Sequence, residues 1–114
     1  MIATVLVVLV AVLHAYFLVL EMFLWDKPFG LKTFRNTPEF AAESKVLAAN
    51  QGLYNGFLSA GLLWGLTQGA SVQIFFLVCV VVAGVYGAAS VTRKIFFIQA
   101  LPALLALGAI YLGL

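Results

Sequence analysis

The sequence predicts an all-α integral membrane protein, a four-helix transmembrane bundle. Composition, the spacing of apolar runs and the placement of charge lead to this prediction. Of 114 residues, 65% are hydrophobic and 9% are charged. Soluble domains are about 45–50% apolar and about 25% charged. A compact globule with so little polar surface would not stay dissolved, so we expect most of the apolar residues to lie in a bilayer.

Four apolar runs are long enough to cross a bilayer, which takes roughly 20 residues. They cover residues 2–25, 46–66, 73–91 and 95–114. Because these runs use most of the chain, we expect a single integral membrane domain, 1–114. The first run follows no Lys or Arg, exceeds the usual signal-peptide core in length and lacks a clear cleavage site. We therefore expect it to be retained.

The cationic residues predict the orientation. All six lie in the first and third connections: Lys27, Lys32, Arg35, Lys45, Arg93 and Lys94. With four spans these two connections lie on the same side, which the positive-inside rule places in the cytoplasm. We therefore expect a multi-pass protein with both termini outside. A net charge of +2 is too small to predict nucleic-acid binding.

The first connection, residues 26–45, is predicted to contain the start of a helix that leads into the second span. Thr37 suits an N-cap, Pro38 suits the first helical position, and Glu39 favours the positive end of the helix dipole. Nothing interrupts the helical pattern before Asn50. An interfacial helix is therefore expected to continue directly into the second span.

Small residues mark the expected packing surfaces of the second and third spans. They are Gly52, Gly56, Gly61, Gly65, Gly84 and Gly87. Glycines spaced in this way let helix backbones approach closely. We expect them to pack helices within the bundle, and they do not by themselves imply a dimer.

Polar residues from all four spans fall at a similar depth. Counted inward from the cytoplasmic boundary at 1.5 Å per residue, they lie roughly 6–14 Å into the membrane. They are Glu21, Asn50, Gln51, Tyr54, Asn55, Tyr86 and Gln99. The outer halves of the spans are nearly bare of such groups. This agreement predicts a polar pocket in the cytoplasmic half.

His14 lies seven residues before Glu21, on nearly the same face of a helix and about 10 Å along its axis. Ionisable residues inside a span cost about 2.5–3.5 kcal/mol on insertion scales and by default mark function or pairing. Burial favours the neutral forms of both groups, in which a carboxylic acid can donate a proton and an imidazole can accept one. We therefore predict Glu21 as the catalytic acid or base and His14 as its relay.

The remaining polar residues are predicted to bind and orient a ligand. They are Asn50, Gln51, Tyr54, Asn55, Tyr86 and Gln99. The predicted ligand is a small amphiphilic or lipid-derived molecule reached from the membrane lipid, and the predicted chemistry is acid–base chemistry of the isomerase type. No cofactor motif is present. A metal site is not expected, because the chain has one His, one Cys and few acids within reach.

Two other interpretations stay open. In one, the protein is a proton-coupled small transporter or channel component that acts as a homodimer. In the other, it is an accessory or scaffold subunit in which the polar side chains only hydrogen-bond one another and hold the helices together.

Three stretches resemble a known family of small bacterial membrane proteins, catalogued as domain of unknown function 1304. They are "LHAYFLVLEMFLW", "KVLAANQGLYNGF", and "VAGVYGAASVTRK" followed by "QALPALLAL". The resemblance covers nearly the whole chain. It implies a four-span protein of the bacterial cytoplasmic (inner) membrane. It implies no established activity, so no catalytic residue is carried over from it.

Overall fold

The computed structural model describes residues 1–114, and all of its regular structure is helical. The all-α part of the prediction is confirmed. Five α-helices and one π-helical turn follow in order: α1 Ile2–Met22, α2 Pro28–Phe34, α3 Pro38–Gln68, α4 Ala70–Ser90, the π turn Phe96–Ala100, and α5 Leu101–Tyr111.

Two of these helices, α1 and α4, are long and apolar enough to cross a membrane, judged by length and composition. Polar residues such as Asn50 and Asn55 interrupt the apolar run of α3. The π turn and α5 together form a shorter apolar helix, Phe96–Tyr111. The structure thus supports two candidate spans, and a bundle of four spans stays a prediction.

The start of α3 agrees with the sequence prediction. The Thr37 hydroxyl accepts a hydrogen bond of 3.1 Å from the backbone N–H of Phe40. Pro38 is the first residue of the helix, and Glu39 lies in its first turn. The helix then continues without a break to Gln68. A single helix therefore connects the first polar connection with the second apolar run.

The turn between α3 and α4 is shorter than predicted. The sequence places the end of one apolar run at residue 66 and the start of the next at 73, whereas Gly69 alone separates the two helices. Its φ of 102° is open to glycine and costly for other residues. The Gln73 side chain donates a 3.1 Å hydrogen bond to the Gly65 carbonyl near the end of α3. The polar residues around Gly69 thus extend the helices and do not form a loop.

Pro102 explains the π turn before α5. The N–H of Leu101 donates to the carbonyl of Phe96, five residues earlier. Proline has no N–H, and its ring crowds the carbonyl four residues before it, here that of Ile98. A wider turn relieves this crowding. The fourth apolar run therefore consists of a π turn followed by α5.

The chain divides into two compact units, residues 1–12 with 58–114 and residues 13–57. The first unit holds a hydrophobic core of buried residues: Val7, Val10, Ala11, Leu62, Leu77, Val80, Ala103 and Ala106. The Ser59 hydroxyl donates a 2.8 Å hydrogen bond to the Ala11 carbonyl within this unit. The second unit contains the rest of α1, all of α2 and the first part of α3.

Glycines make the closest helix contacts, as the sequence predicts. In the first unit a Cβ at position 84 would lie 2.7 Å from the backbone nitrogen of Ala100. A Cβ at position 61 would lie 2.4 Å from the ring of Phe76. These distances are too short for any side chain, so α4 and the π turn can pack as they do only with glycine at position 84.

Gly84→Ala is expected to lower the free energy of unfolding by about 1–3 kcal/mol, because the added methyl group meets fixed backbone. Gly108→Ala is the matched control, since a Cβ there meets nothing within 4 Å. Alanine at 108 is expected to leave stability unchanged or raise it by up to about 1 kcal/mol. Denaturation of both variants in detergent, followed by circular dichroism, measures the difference. Equal stability of the two variants would contradict this packing.

Candidate functional site

The polar centre of the second unit is a contact between Glu21 of α1 and Asn55 of α3. The Asn55 side-chain amide donates a hydrogen bond to Oε1 of Glu21. Asn55 is only 6% exposed, and Glu21 is partly buried. The contact joins residues 34 positions apart in the chain. Both residues were predicted for the site, and we call them the Glu21–Asn55 pair.

Glycines allow α1 and α3 to approach closely at this pair. A Cβ at position 52 would lie 3.0 Å from the Cβ of Glu21 and 3.2 Å from the carbonyl oxygen of Leu18. A Cβ at position 56 would lie 2.6 Å from a methyl group of Leu18. At position 52 an added side chain would meet the backbone of Leu18, whereas at position 56 it would meet only the end of the Leu18 side chain. The reach of Glu21 to Asn55 therefore depends mainly on Gly52.

His14 is fully buried, with 0% of its surface exposed. Its ring meets the ring of Phe17 edge-on, with the centroids 5.2 Å apart. His14 lies about two turns before Glu21 on the same helix. The imidazole therefore lies inside the structure and not at its surface. A proton relay between the two residues stays a prediction.

Of the other predicted residues, three belong to the second unit and two to the first. Asn50, Gln51 and Tyr54 are exposed on α3, and the Asn50 amide donates a 3.2 Å hydrogen bond to the Tyr54 hydroxyl. The structure does not bring these three into the contact between Glu21 and Asn55. In the first unit, Tyr86 is 73% exposed on α4, and Gln99 is half-buried in the π turn. A cluster drawn from all four apolar runs therefore stays a prediction.

Two contacts that the sequence did not predict join the turn after α1 to the first part of α3. The Trp25 indole N–H donates a 3.0 Å hydrogen bond to the Ser44 hydroxyl. The Lys45 ammonium lies 2.9 Å from a carboxylate oxygen of Asp26. We call these two contacts the α1–α3 clasp. The sequence carries no signal for either contact, because the partners lie 19 residues apart and meet only through the fold.

The clasp is charged at neutral pH. The hydrogen bond from Lys45 holds the pKa of Asp26 below its ordinary value, and the nearby positive charges of Lys45 and Lys27 act in the same direction. A lowered pKa means that the carboxylate is ionised at every pH above its ordinary value of 3.8. The ion pair therefore persists through the physiological range.

The site provides one carboxylate, one amide and one buried imidazole. No group of three or more His, Cys, Asp or Glu side chains is placed to hold a metal ion. A carboxyl group can donate or accept a proton, and an amide can orient it. Proton transfer and hydrogen bonding are thus the chemistry that these three side chains can perform.

A family model matches most of the chain. The model described as "Protein of unknown function (DUF1304)" matches residues 8–111. The chain belongs to this family. The matched range contains His14, Glu21 and Asn55. No curated protein and no solved structure matches the chain. The resemblance found in the sequence is thus confirmed for the family.

Asn55→Leu is expected to lower the free energy of unfolding by about 1–3 kcal/mol, because it leaves the Glu21 carboxyl group without its amide donor. The double variant Glu21→Leu with Asn55→Leu is expected to recover part of this loss, since it removes both polar partners. Asn50→Leu, on the exposed side of α3, is the matched control with little expected effect. Denaturation in detergent measures these variants and the single variant Glu21→Leu, and strictly additive effects of the two substitutions would show that the pair is not coupled.

Proposed function

We propose that this protein is an integral membrane protein that binds a small amphiphilic or lipid-derived molecule at the Glu21–Asn55 pair. The observation that carries the proposal is the hydrogen bond between a carboxyl group on an apolar helix and a buried amide. An ionisable residue in a span is costly and by default marks function or pairing. Glu21 is only partly buried, and in this proposal a molecule in the surrounding lipid reaches its side chain from the exposed side.

Each residue of the proposed site has a separate role. Glu21 is the acid or base, Asn55 holds one of its oxygens, and His14 is the buried relay. A carboxyl group that takes a proton from one position of a bound molecule and returns it at another performs an isomerisation. Tyr86 and Gln99 remain proposed members of the ligand-binding shell.

The proposed topology has four spans in the bacterial cytoplasmic membrane, with both termini outside. Besides α1 and α4, the other two spans are α3 and the π turn with α5. At 1.5 Å per residue the 31 residues of α3 extend about 46 Å, more than a bilayer core of about 30 Å. The cations before α3 and after α4 then lie in the cytoplasm under the positive-inside rule. The site accordingly lies in the cytoplasmic half of the membrane.

Glu21→Gln keeps the shape of the side chain but removes its acidic group. It is therefore expected to lower the amount of at least one copurifying amphiphile by about tenfold or more. A buried polar group of the bound molecule left without its partner costs about 1–3 kcal/mol, and 1.4 kcal/mol corresponds to a factor of ten. His14→Ala is expected to reduce the same species. Mass spectrometry of lipids and metabolites extracted from protein purified in mild detergent measures the loss.

Glu43→Gln is the matched control, because Glu43 is an exposed carboxylate on α3. An unchanged set of copurifying molecules in folded Glu21→Gln and His14→Ala would refute the proposal. It would favour the scaffold interpretation. Glu21-dependent proton flux in liposomes would favour the transporter instead.

Cysteine labelling checks the topology. In a Cys79→Ala background, Thr67→Cys is expected to react with an impermeant maleimide added to intact cells. Lys32→Cys is expected to react only after the membrane is permeabilised. Thr67 lies at the end of α3, and Lys32 lies on α2. The reverse pattern would overturn the orientation, and labelling of both from outside would overturn the number of crossings.

A further inference from the structure

Three exposed cations follow the end of α1. Lys27, Lys32 and Arg35 lie within nine residues, and no acid occurs from position 27 to 38. The acid just before them, Asp26, is paired with Lys45. None of the three forms a salt bridge. This short segment therefore carries a concentrated positive charge.

The helix α2 is fixed against the turn that follows α1. A Cβ at position 30 would lie 1.8 Å from the carbonyl oxygen of Leu24, so Gly30 lets the two backbones touch. The ring of Phe34 packs against Trp25, with the centroids 4.9 Å apart. These contacts leave Phe29, which is 52% exposed, and Lys32 on the free side of the helix. Phe29 and Lys32 are three residues apart and therefore neighbours on the helix surface.

Arg35 ends α2 in a left-handed conformation, with φ 56° and ψ 39°. Its N–H closes the helix by donating to the carbonyl of Leu31. Glycine is the usual residue at such a position, because it adopts this conformation without steric cost. The chain has an arginine there instead, and its guanidinium group can bind two oxygens of a phosphate at once. A cation thus occupies a position that backbone geometry alone would assign to glycine.

We propose that α2 and its flanking residues bind the headgroup of an anionic phospholipid. Lys27, Lys32 and Arg35 contact the phosphate and the net negative charge of the headgroup, while Phe29 enters the acyl boundary beside it. Phenylalanine next to Lys and Arg on a short helix is typical of segments that lie in the membrane interface. The inference rests on the membrane placement in the proposed function and extends it to a second, separate lipid site.

Tryptophan quenching by brominated lipids tests this site. In full-length protein carrying Trp64→Phe, the remaining tryptophan is Trp25, which lies beside α2. The protein is reconstituted with brominated phosphatidylglycerol or with brominated phosphatidylcholine. The quenching of Trp25 fluorescence by each lipid then gives the relative association constant of the two lipids near Trp25. The wild-type segment is expected to prefer phosphatidylglycerol. Lys32→Gln is expected to reduce this preference about fivefold, and neutralising all three cations is expected to abolish it.

Arg93→Gln with Lys94→Gln is the matched control, and it is expected to leave the preference unchanged. Loss of the preference at high salt is expected, since headgroup attraction is screened. Equal quenching by the two lipids, or a preference that survives in the folded triple variant, would overturn the proposal. If the triple variant does not fold, an unchanged preference in Lys32→Gln would overturn it. Displacement by inorganic phosphate would also overturn it, because the site would then bind the free anion.

The proposal of the headgroup site and the proposal of a ligand at the Glu21–Asn55 pair can be refuted separately. Glu21→Gln is expected to keep the phosphatidylglycerol preference at Trp25. Lys32→Gln is expected to keep the molecules whose copurification depends on Glu21. A preference lost in Glu21→Gln as well would show that the two lipid sites are one, and it would refute the separate headgroup site.

Discussion

The hydrogen bond between Glu21 and Asn55 in the second unit depends on the close approach of α1 and α3. Gly52 and Gly56 let the backbones come within the reach of one side chain. Only at that distance can the amide of Asn55 satisfy the carboxyl group of Glu21, which would otherwise be costly among apolar side chains. The glycines that pack the helices are therefore also the residues that make an acid tolerable here. The α1–α3 clasp holds the same two helices together at one end.

The polar residues of the apolar helices fall into two kinds. Ser59 and Gln73 donate to the backbone carbonyls of Ala11 and Gly65, and this role in packing accounts for them fully. Glu21 differs, because its hydrogen-bond partner is the side-chain amide of Asn55 and not a backbone group. A neutral side chain such as glutamine would join the helices at lower cost. The carboxyl group at this position is therefore the feature on which the proposed acid–base role depends.

Local and periodic features were predictable from the sequence. The Thr37 cap, the unbroken course of α3 and the glycine contacts all depend on neighbours along the chain or on helical spacing. Depth counting also selected both members of the Glu21–Asn55 pair. It failed to separate Asn55 from Asn50 and Tyr54, because depth gives the position along a helix axis and not the rotation about it. Asn50 and Tyr54 share the depth of Asn55 but lie on an exposed face. The α1–α3 clasp was not predictable, since its partners lie 19 residues apart and meet only through the fold.

The single residue between α3 and α4 has a consequence for how the chain enters a membrane. A helical hairpin closed by Gly69 alone needs almost no loop entropy to form. With its run broken by amides, α3 is a weak candidate for insertion by itself, whereas α4 is a candidate span by its length and hydropathy. In the proposed topology, α4 therefore carries α3 into the bilayer as one hairpin. Lengthening the link at Gly69 would uncouple the two helices during biogenesis, even if the final fold could accommodate the extra residues.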